Sequence, residues 1–441
     1  GPGSLANFTA IRNPQHWRMR ILVVGSGGRE HALAWKLRQS TAVDQIFCAP
    51  GNAGTAQIGE NVAINAGDLS GLARFAKQNR IGLTVVGPDD PLAAGIVDLF
   101  QSQRLRIFGP TKSAARIESS KIFAKQLMHG AAIPTAAANV FSSSEEALRW
   151  CEDLSYPVVI KADGLALGKG VIIAPDRAAA ESTIDAMMNR ARFGDAGRSI
   201  VIEEFLRGSE CSLHALVDGT TYRLLATARD HKRAFDQDEG PNTGGMGAVS
   251  PANNWNGHLE AQFAREIMQP LLQALRDQRV EFRGLLFPGL MITDQGPRVL
   301  EFNCRFGDPE TQTILPRLNS DLLPMLENTI DGKLGDQPII WDDRTAVTVV
   351  LASGGYPDKY ETGKPISGLE EAAAIEGVQI FHAGTRQSGS SIVTSGGRVL
   401  AVTSLGENVK AARERAYQAA AHIQFENCHY RHDIALIRSP A

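Results

Sequence analysis

The first ordered pattern along the chain is a short apolar run at residues 20–24, then Gly25-Ser26-Gly27-Gly28, then a stretch of helical period over 29–39. Apolar run, glycine turn and helix open a βα unit. Apolar runs at 45–49, 83–87 and 104–108 follow, with helix-like stretches at 69–78 and 92–101 between them. This alternation predicts a doubly wound parallel sheet over residues 19–120. A second block begins after Gly109-Pro110-Thr111. It has a helix opening at Ser120-Lys121, strands at 157–161, 170–174 and 199–205, and a helix near 178–190. That pattern predicts a compact α+β lobe over about 135–207. Apolar runs at 210–218, 221–228, 284–293 and 298–302, with a long helix near 259–279, predict a strand-rich second lobe, so that the two lobes together span 121–335. A polar linker at 331–338 leads to a β-rich block over 336–441 that ends in a helix near 409–423. The fold expected is therefore multidomain, α/β followed by α+β. Residues 1–18 precede it, and Gly1-Pro2-Gly3-Ser4 has the form of a protease-cleavage scar.

Composition narrows the function classes. The chain has 441 residues, 43% of them hydrophobic and 21% charged, which is the make-up of a folded enzyme rather than a disordered chain. Its 45 basic and 48 acidic residues leave a net charge of −3, which disfavours a dedicated nucleic-acid binder. The five cysteines, Cys48, Cys151, Cys211, Cys304 and Cys428, are scattered and form no CxxC pair, so a reducing cytoplasm is the expected compartment. No apolar run reaches the length of a membrane span, and no membrane partner is expected.

Three stretches carry candidate chemistry. Gly25–Gly28 sits where a dinucleotide fingerprint would sit, but Glu30 replaces its third glycine and residues 47–50 lack the acid for a ribose. A single phosphate on the helix N-terminus remains compatible, as does a tight structural turn. Residues 161–170, Lys-Ala-Asp-Gly-Leu-Ala-Leu-Gly-Lys-Gly, depart from the Walker spacing, yet two lysines and three glycines between strands suit a phosphate lid. Lys161 ends an apolar strand and needs an anion if buried. The most informative stretch is 299–305, Val-Leu-Glu-Phe-Asn-Cys-Arg. On a strand Glu301, Asn303 and Arg305 share one face, and Leu300 and Phe302 the other. A carboxylate and an amide oxygen are hard ligands suited to Mg²⁺, and an arginine beyond them can hold a carboxylate or phosphoryl group. Asp308 and Glu310 continue the acidic string. Residues 230–233 and 241–247 form charged and glycine-rich loops. The cluster Cys428-His429-Tyr430-Arg431-His432 lacks a second ligand pair and reads as structural.

Taken together, these motifs resemble the phosphoribosylamine–glycine ligases (glycinamide ribonucleotide synthetases) of the ATP-grasp superfamily. The resemblance runs from about Met19 to the C-terminus. It rests on residues 25–31, 50–55, 109–111, 161–170, 203–206, 230–233, 240–247, 301–310 and 394–400. It implies a pre-ATP-grasp domain, two ATP-grasp lobes and a closing C-terminal domain. The implied reaction joins glycine to 5-phosphoribosylamine at the expense of ATP, in de novo purine synthesis, by a cytoplasmic monomer or weak homodimer.

The resemblance also implies roles. Lys121, Lys161, Gly168, Lys169 and Gly170 hold ATP phosphates. Glu203, Glu204, Phe205 and Leu206 form the adenine hinge, partly through the backbone, and Glu210 meets the ribose. Glu301 and Asn303 hold Mg²⁺ or Mn²⁺. Gly27, Gly28, Asn52, Asp230, Lys232, Asn242, Thr243, Gly244, Gly245 and Asp308 contact phosphoribosylamine. Arg305 takes the glycine carboxylate or the acyl phosphate, and Asp230 is a candidate proton acceptor. Asp89 and Arg229 stand where this family commonly has Glu and Gln, which bears on the phosphoribosylamine site. The alternative is another ATP-grasp ligase or carboxylase of purine metabolism, which would differ in the amine-side loops.

Overall fold

The computed structural model describes residues 18–166 and 169–436. The first sheet has five parallel strands in the order Glu60–Asn61, Val43–Pro50, Met19–Gly25, Leu83–Val86 and Ile107–Phe108. Its central strand is buried on both faces, with Ile21, Leu22, Val23 and Val24 at 0% exposure, which is why the sequence reads there as a continuous apolar run. Strand order reverses between Met19–Gly25 and Leu83–Val86. A crevice therefore opens beyond their carboxyl ends, where Gly25–Gly28 and Gly87 lie.

The small lobe is an antiparallel sheet in the order Ala138–Phe141, Ile200–Glu204, Val158–Ala162 and Val171–Ala174. It closes its own core, in which Phe141, Ile160 and Ile202 pack with Ile184 and Met187. In the larger lobe the long strand Arg283–Thr293 pairs with Ser209–Ser212, Ala215–Asp218 and Gly296–Asn303. The expected single run at 210–218 is thus two strands, broken at Leu213-His214. The expected helix near 259–279 is Gly257–Phe263, a wider turn Ala264–Met268, and Gln269–Asp277. Pro270 follows the wider turn and has no N–H to give to Glu266.

The C-terminal sheet departs furthest from the expected block boundaries. Its order is Arg229–Asp230, Gly247–Ser250, Thr345–Ala352, Arg398–Gly406 and Val378–His382. Residues 229–250, expected within the ATP-grasp region, thus lend two strands to this sheet. The helix Val409–His422 covers it, burying Ala412, Ala416, Ala419 and Ala420 against Val347, Val349 and Val402. Alanines spaced by three or four residues form one face, and their small side chains let helix and sheet approach closely.

Candidate active site

Two lysines and one carboxylate form the wall of the cleft between the lobes. Lys161, 6% exposed, lies 3.0 Å from Glu203 Oε2 and donates to the Leu300 carbonyl at 2.9 Å. Glu203 sits on the neighbouring antiparallel strand, 3% exposed, and its Oε1 lies 3.1 Å from Lys125 Nζ. The trio keeps one net positive charge in a desolvated place, which suits an anionic ligand. Lys121 lies one turn before Lys125 on the helix Lys121–Gly130, so the two share a face. Burial holds both lysines below the usual ammonium range, partly opposed by Glu301 beside Lys121 and by Glu203 beside Lys125.

The stretch expected to form the hinge follows at the end of Ile200–Glu204. Glu204 accepts from the Ala137 N–H at 2.9 Å, Phe205 is half-buried under Arg207, and Leu206 is buried. Because the Glu203 side chain is committed to two lysines, only its backbone remains for a purine base. Lys169, which is exposed, reaches the Pro357 carbonyl of the C-terminal domain at 3.0 Å, and Gly170 is buried beside Ala162 and Ala166. Gly168 lies outside the described residues.

The strand Gly296–Asn303 carries the candidate oxygen ligands. Glu301 pairs with Gly289 and Val299 with Leu290, which leaves Leu300 as an extra residue in a bulge. The bulge shifts the alternation. Val299 and Phe302 both enter the core, Leu300 does not share their burial, and its carbonyl turns to Lys161. Glu301 and Asn303 keep the common face expected of them. Burial works against the Glu301 carboxylate, but Lys232, Lys161, Lys121 and Arg305 outweigh it and hold the pKa at about 2. No group of three or more His, Cys, Asp or Glu placed to hold a metal occurs among the described residues. One permanently charged carboxylate and one amide oxygen form the partial donor set that Mg²⁺ completes with nucleotide phosphates and water, so the residues fit that ion.

Arg305 lies just beyond the strand. Its guanidinium is 3.0 Å from Glu118 Oε1 and donates to Asn303 Oδ1 at 3.2 Å. Glu118 also accepts from the Cys304 N–H at 2.8 Å, so the helix Lys112–Ser119 fixes the end of the ligand strand. Glu118 keeps Arg305 charged against its burial, and Asp89 adds to that field. Nearby, Lys232 Nζ lies 3.5 Å from Glu210 and 4.0 Å from Glu301. Asp230 is 8% exposed, with Oδ1 lacking a hydrogen-bond partner. Burial and Glu210 push its carboxyl up despite Lys232, while burial and Asp230 push Glu310 up further. Arg229 alternates with Asp230 and shares the opposite face with His231, so its cation points away from the cleft.

The residues expected on the amine side come together where three sequence blocks meet. Asp308 accepts from Gln312 at 2.7 Å and lies 3.3 Å from Arg398, which also donates to the Asp308 carbonyl at 2.9 Å and to the Gly245 carbonyl at 3.3 Å. A Cβ on Gly27 would stand 3.4 Å from Asp308 Oδ2, one on Gly28 2.6 Å from Gln312, and one on Gly244 2.8 Å from Arg398. Thr243 donates to the Lys232 carbonyl at 2.8 Å and accepts from Gly245, and Asn242 precedes it at the end of a short hairpin.

Two expectations change here. The Gly27 N–H donates to Glu30 Oε2 at 2.7 Å, and Arg29 pairs with Glu30 Oε1 at 2.8 Å. The glutamate that breaks the dinucleotide fingerprint thus fills the anion place at the helix N-terminus, so a phosphate there cannot use Gly27's amide. Asn52, 5% exposed, donates to the Ser26 carbonyl at 2.8 Å and the His382 carbonyl at 2.7 Å, and accepts from Gly54 at 2.9 Å and Thr55 at 3.0 Å. All four hydrogen-bonding places of its amide are filled within the chain. Through these bonds it shapes the glycine loop from behind.

Several residues of the site were not assigned from the sequence. Lys125 could have been found from its spacing to Lys121, and Glu310 from the acidic string. Glu118, Gln312 and Arg398 reach the site only through tertiary contacts.

A doubly wound sheet, two antiparallel lobes around buried lysines and a Glu-x-Asn strand define an ATP-grasp ligase. Models of phosphoribosylglycinamide synthetase match residues 19–118 (N domain), 119–311 (ATP-grasp domain) and 346–437 (C domain). The chain is 52% identical to the phosphoribosylamine–glycine ligase of Allochromatium vinosum over 419 residues, covering 94% of this chain and 98% of that one. It is 49% identical to the Pseudomonas aeruginosa enzyme of the same name, over 94% of this chain and 97% of that one. The crystal structure of phosphoribosylamine–glycine ligase from Thermotoga maritima superposes with a TM-score of 0.80 at 34% identity, over 94% of this chain and all of that one. The chain belongs to the phosphoribosylamine–glycine ligase family. N5-carboxyaminoimidazole ribonucleotide synthetase from Thermotoga maritima, at 19% identity and a TM-score of 0.62, shares the fold.

Proposed function

We infer that this chain joins glycine to 5-phosphoribosylamine, with ATP going to ADP and phosphate, and so makes glycinamide ribonucleotide for purine synthesis. The observation that carries the reading is the place of Arg305. It donates to Asn303, next to Glu301 on the ligand strand, and three residues further on Asp308 meets Arg398 and faces Gly27.

In this reading Lys161 and Lys121 bind the ATP phosphates, the hinge backbone at 203–206 holds adenine, and Glu210 meets the ribose. Glu301 and Asn303 hold the divalent ion, Mg²⁺ or Mn²⁺, which when bound neutralises charge on the transferring phosphoryl group. Arg305 orients the glycine carboxylate toward that phosphorus. The carboxylate oxygen attacks the γ-phosphorus, the bond to the β-phosphate oxygen breaks, and ADP leaves. Two anions meet in this step, so the fixed cations lower its cost. The amine of phosphoribosylamine then attacks the glycyl carbonyl and phosphate departs. Asp230, buried with its Oδ1 lacking a hydrogen-bond partner, takes the amine's proton. Asp308 and Arg398 orient the ribose phosphate substrate.

The working unit in this reading is a monomer or a weak homodimer. No helix of the described residues is long and apolar enough to cross a membrane. Scattered cysteines support the cytoplasm as its place of work.

The test is ADP release with ATP and Mg²⁺, omitting glycine and phosphoribosylamine in turn, with phosphoribosylamine formed in place from ribose 5-phosphate and ammonia. ADP release that needs both, with glycinamide ribonucleotide formed in step, is expected. Turnover without glycine, or with another acid in its place, would overturn the substrate assignment.

A further inference from the structure

The chain at residues 428–436, which from sequence reads as a loose His/Cys cluster, lies against the back of the substrate hairpin. Arg431 is 1% exposed and grips Asp433 with two bonds of 2.8 Å. Its remaining nitrogen crosses to the hairpin, 2.9 Å from Asp238 and donating to the Arg233 carbonyl at 3.1 Å. Four more contacts run beside it. Asp433 accepts from the Gln237 N–H at 2.9 Å, and the Ala435 N–H donates to His231 Nε2 at 3.1 Å. His429 Nε2 lies 2.8 Å from the Ala234 carbonyl, and the His432 N–H donates to Asp236 at 2.7 Å.

The same segment is fastened on its other side. Tyr417 donates to the Arg431 carbonyl at 2.6 Å, Arg413 donates to the Ile434 carbonyl at 2.9 Å, and His429 exchanges both backbone bonds with Ala352. The tail is therefore a bridge between the body of the C-terminal sheet and the hairpin.

The hairpin needs such a bridge. It is a two-stranded ribbon, Arg233–Phe235 on Glu239–Asn242, and two strands alone are marginal in water. At its tip Gln237 and Asp238 both hold positive φ, at 66° and 55°, a backbone state that side chains with a Cβ disfavour. Those two residues are the ones that Asp433 and Arg431 hold. Alternation does the rest: His231 turns to the tail, while Asp230 and Lys232 turn to the cleft.

We propose that Arg431 is a positioning residue for the amine substrate, acting through Asp433 and Asp238 to fix the hairpin that presents Lys232 and residues 242–245. The proposal rests on the reading of the amine site given above. A planar guanidinium with three filled directions is needed, and a lysine cannot supply that fork.

Arg431→Met and Arg431→Lys test it by steady-state kinetics with each substrate varied. For Arg431→Met the KM for phosphoribosylamine should rise about tenfold or more, with the KM for ATP within about twofold and kcat largely kept. Arg431→Lys should fall between. A rise shared equally by ATP, glycine and phosphoribosylamine, or no rise in a folded variant, overturns the proposal. Should Arg431→Met not fold, Asp238→Ala removes the bridge from its exposed end and should give the same selective rise, smaller in size; an unchanged KM there overturns it equally. Failure of the wild-type chain to use phosphoribosylamine in the omission assay would instead remove the functional reading beneath it.

Discussion

Asn52→Ala separates two roles for that residue, shaping the site and touching the substrate. The substitution deletes two donated and two accepted hydrogen bonds and leaves the Ser26 and His382 carbonyls and the Gly54 and Thr55 amides without them. At about 1 kcal/mol net for each bond the loss is about 4 kcal/mol, and partial hydration of the new space brings it to roughly 3 kcal/mol. The bond to His382 crosses from the first domain to the C-terminal domain, so the loss falls on their contact. A drop in melting temperature on the order of 5–10 °C follows for a cooperative unit of about 150–250 residues. Asn52→Asp keeps both acceptors but sets a carboxylate oxygen against two carbonyls, and should cost at least as much. Urea unfolding followed by tryptophan emission is the assay, since Trp35 packs edge-on against Phe381 at 5.5 Å across this contact. The KM for phosphoribosylamine should rise several-fold as the glycine loop loosens, with the KM for ATP unmoved. Stability within about 0.5 kcal/mol of wild type, with only the phosphoribosylamine KM raised, would refute the reasoning and make Asn52 a direct contact.

Acid should unfold the protein through its buried histidines. His31 accepts the His382 N–H at Nδ1, and burial followed by the nearby His382 lowers its pKa to about 3. The unfolded chain binds that proton from about pH 6.5 downward, so stability is present above 6.5 and lost toward pH 3, with a slope of up to about 1.4 kcal/mol per pH unit. His31→Gln should flatten the fall in unfolding free energy between these pH values, and an unchanged slope would show that His31 does not contribute. Lys125→Met should destabilise by about 3–5 kcal/mol by leaving Glu203 short of a cation. Adding Glu203→Gln should recover part of that loss in urea titrations; strict additivity would show that the two do not act as a pair. Glu301→Gln should abolish the Mg²⁺-dependent part of ATP binding in calorimetry, and full retention would remove Glu301 from the ion's ligands.

The sequence disclosed what is local. Four apolar runs split by helical stretches were enough for four of the five parallel strands, because buried strands need uninterrupted apolar residues, whereas the exposed edge strand Glu60–Asn61 carries no such run. Alternation placed Glu301 beside Asn303, since the bulge falls before both. The same rule misassigned Leu300, because a bulge leaves no mark in an apolar run. Lys161 was legible as needing an anion, but which of several acids would meet it depended on the register of Ile200–Glu204. The commitment of Asn52 to its own chain was out of reach, because half of its partners lie in other turns. Arg398 was legible only as part of a motif. Its guanidinium meets Asp308 across 90 residues, and nothing local requires that.

The two strands that residues 229–250 contribute to the C-terminal sheet bear on how far these proteins are modular. Three stretches of sequence match three domain models, which invites cutting at the linker near residue 338 and exchanging the last piece between ligases. A piece so cut would lack Arg229–Asp230 and Gly247–Ser250. It would expose Thr345–Ala352 as a bare edge able to pair with any other strand. The donor would keep a loop with no sheet to join. A swap that works would have to carry residues 229–250 along, and with them Asp230 and Lys232. The closing domain and part of the chemistry can therefore be inherited only together.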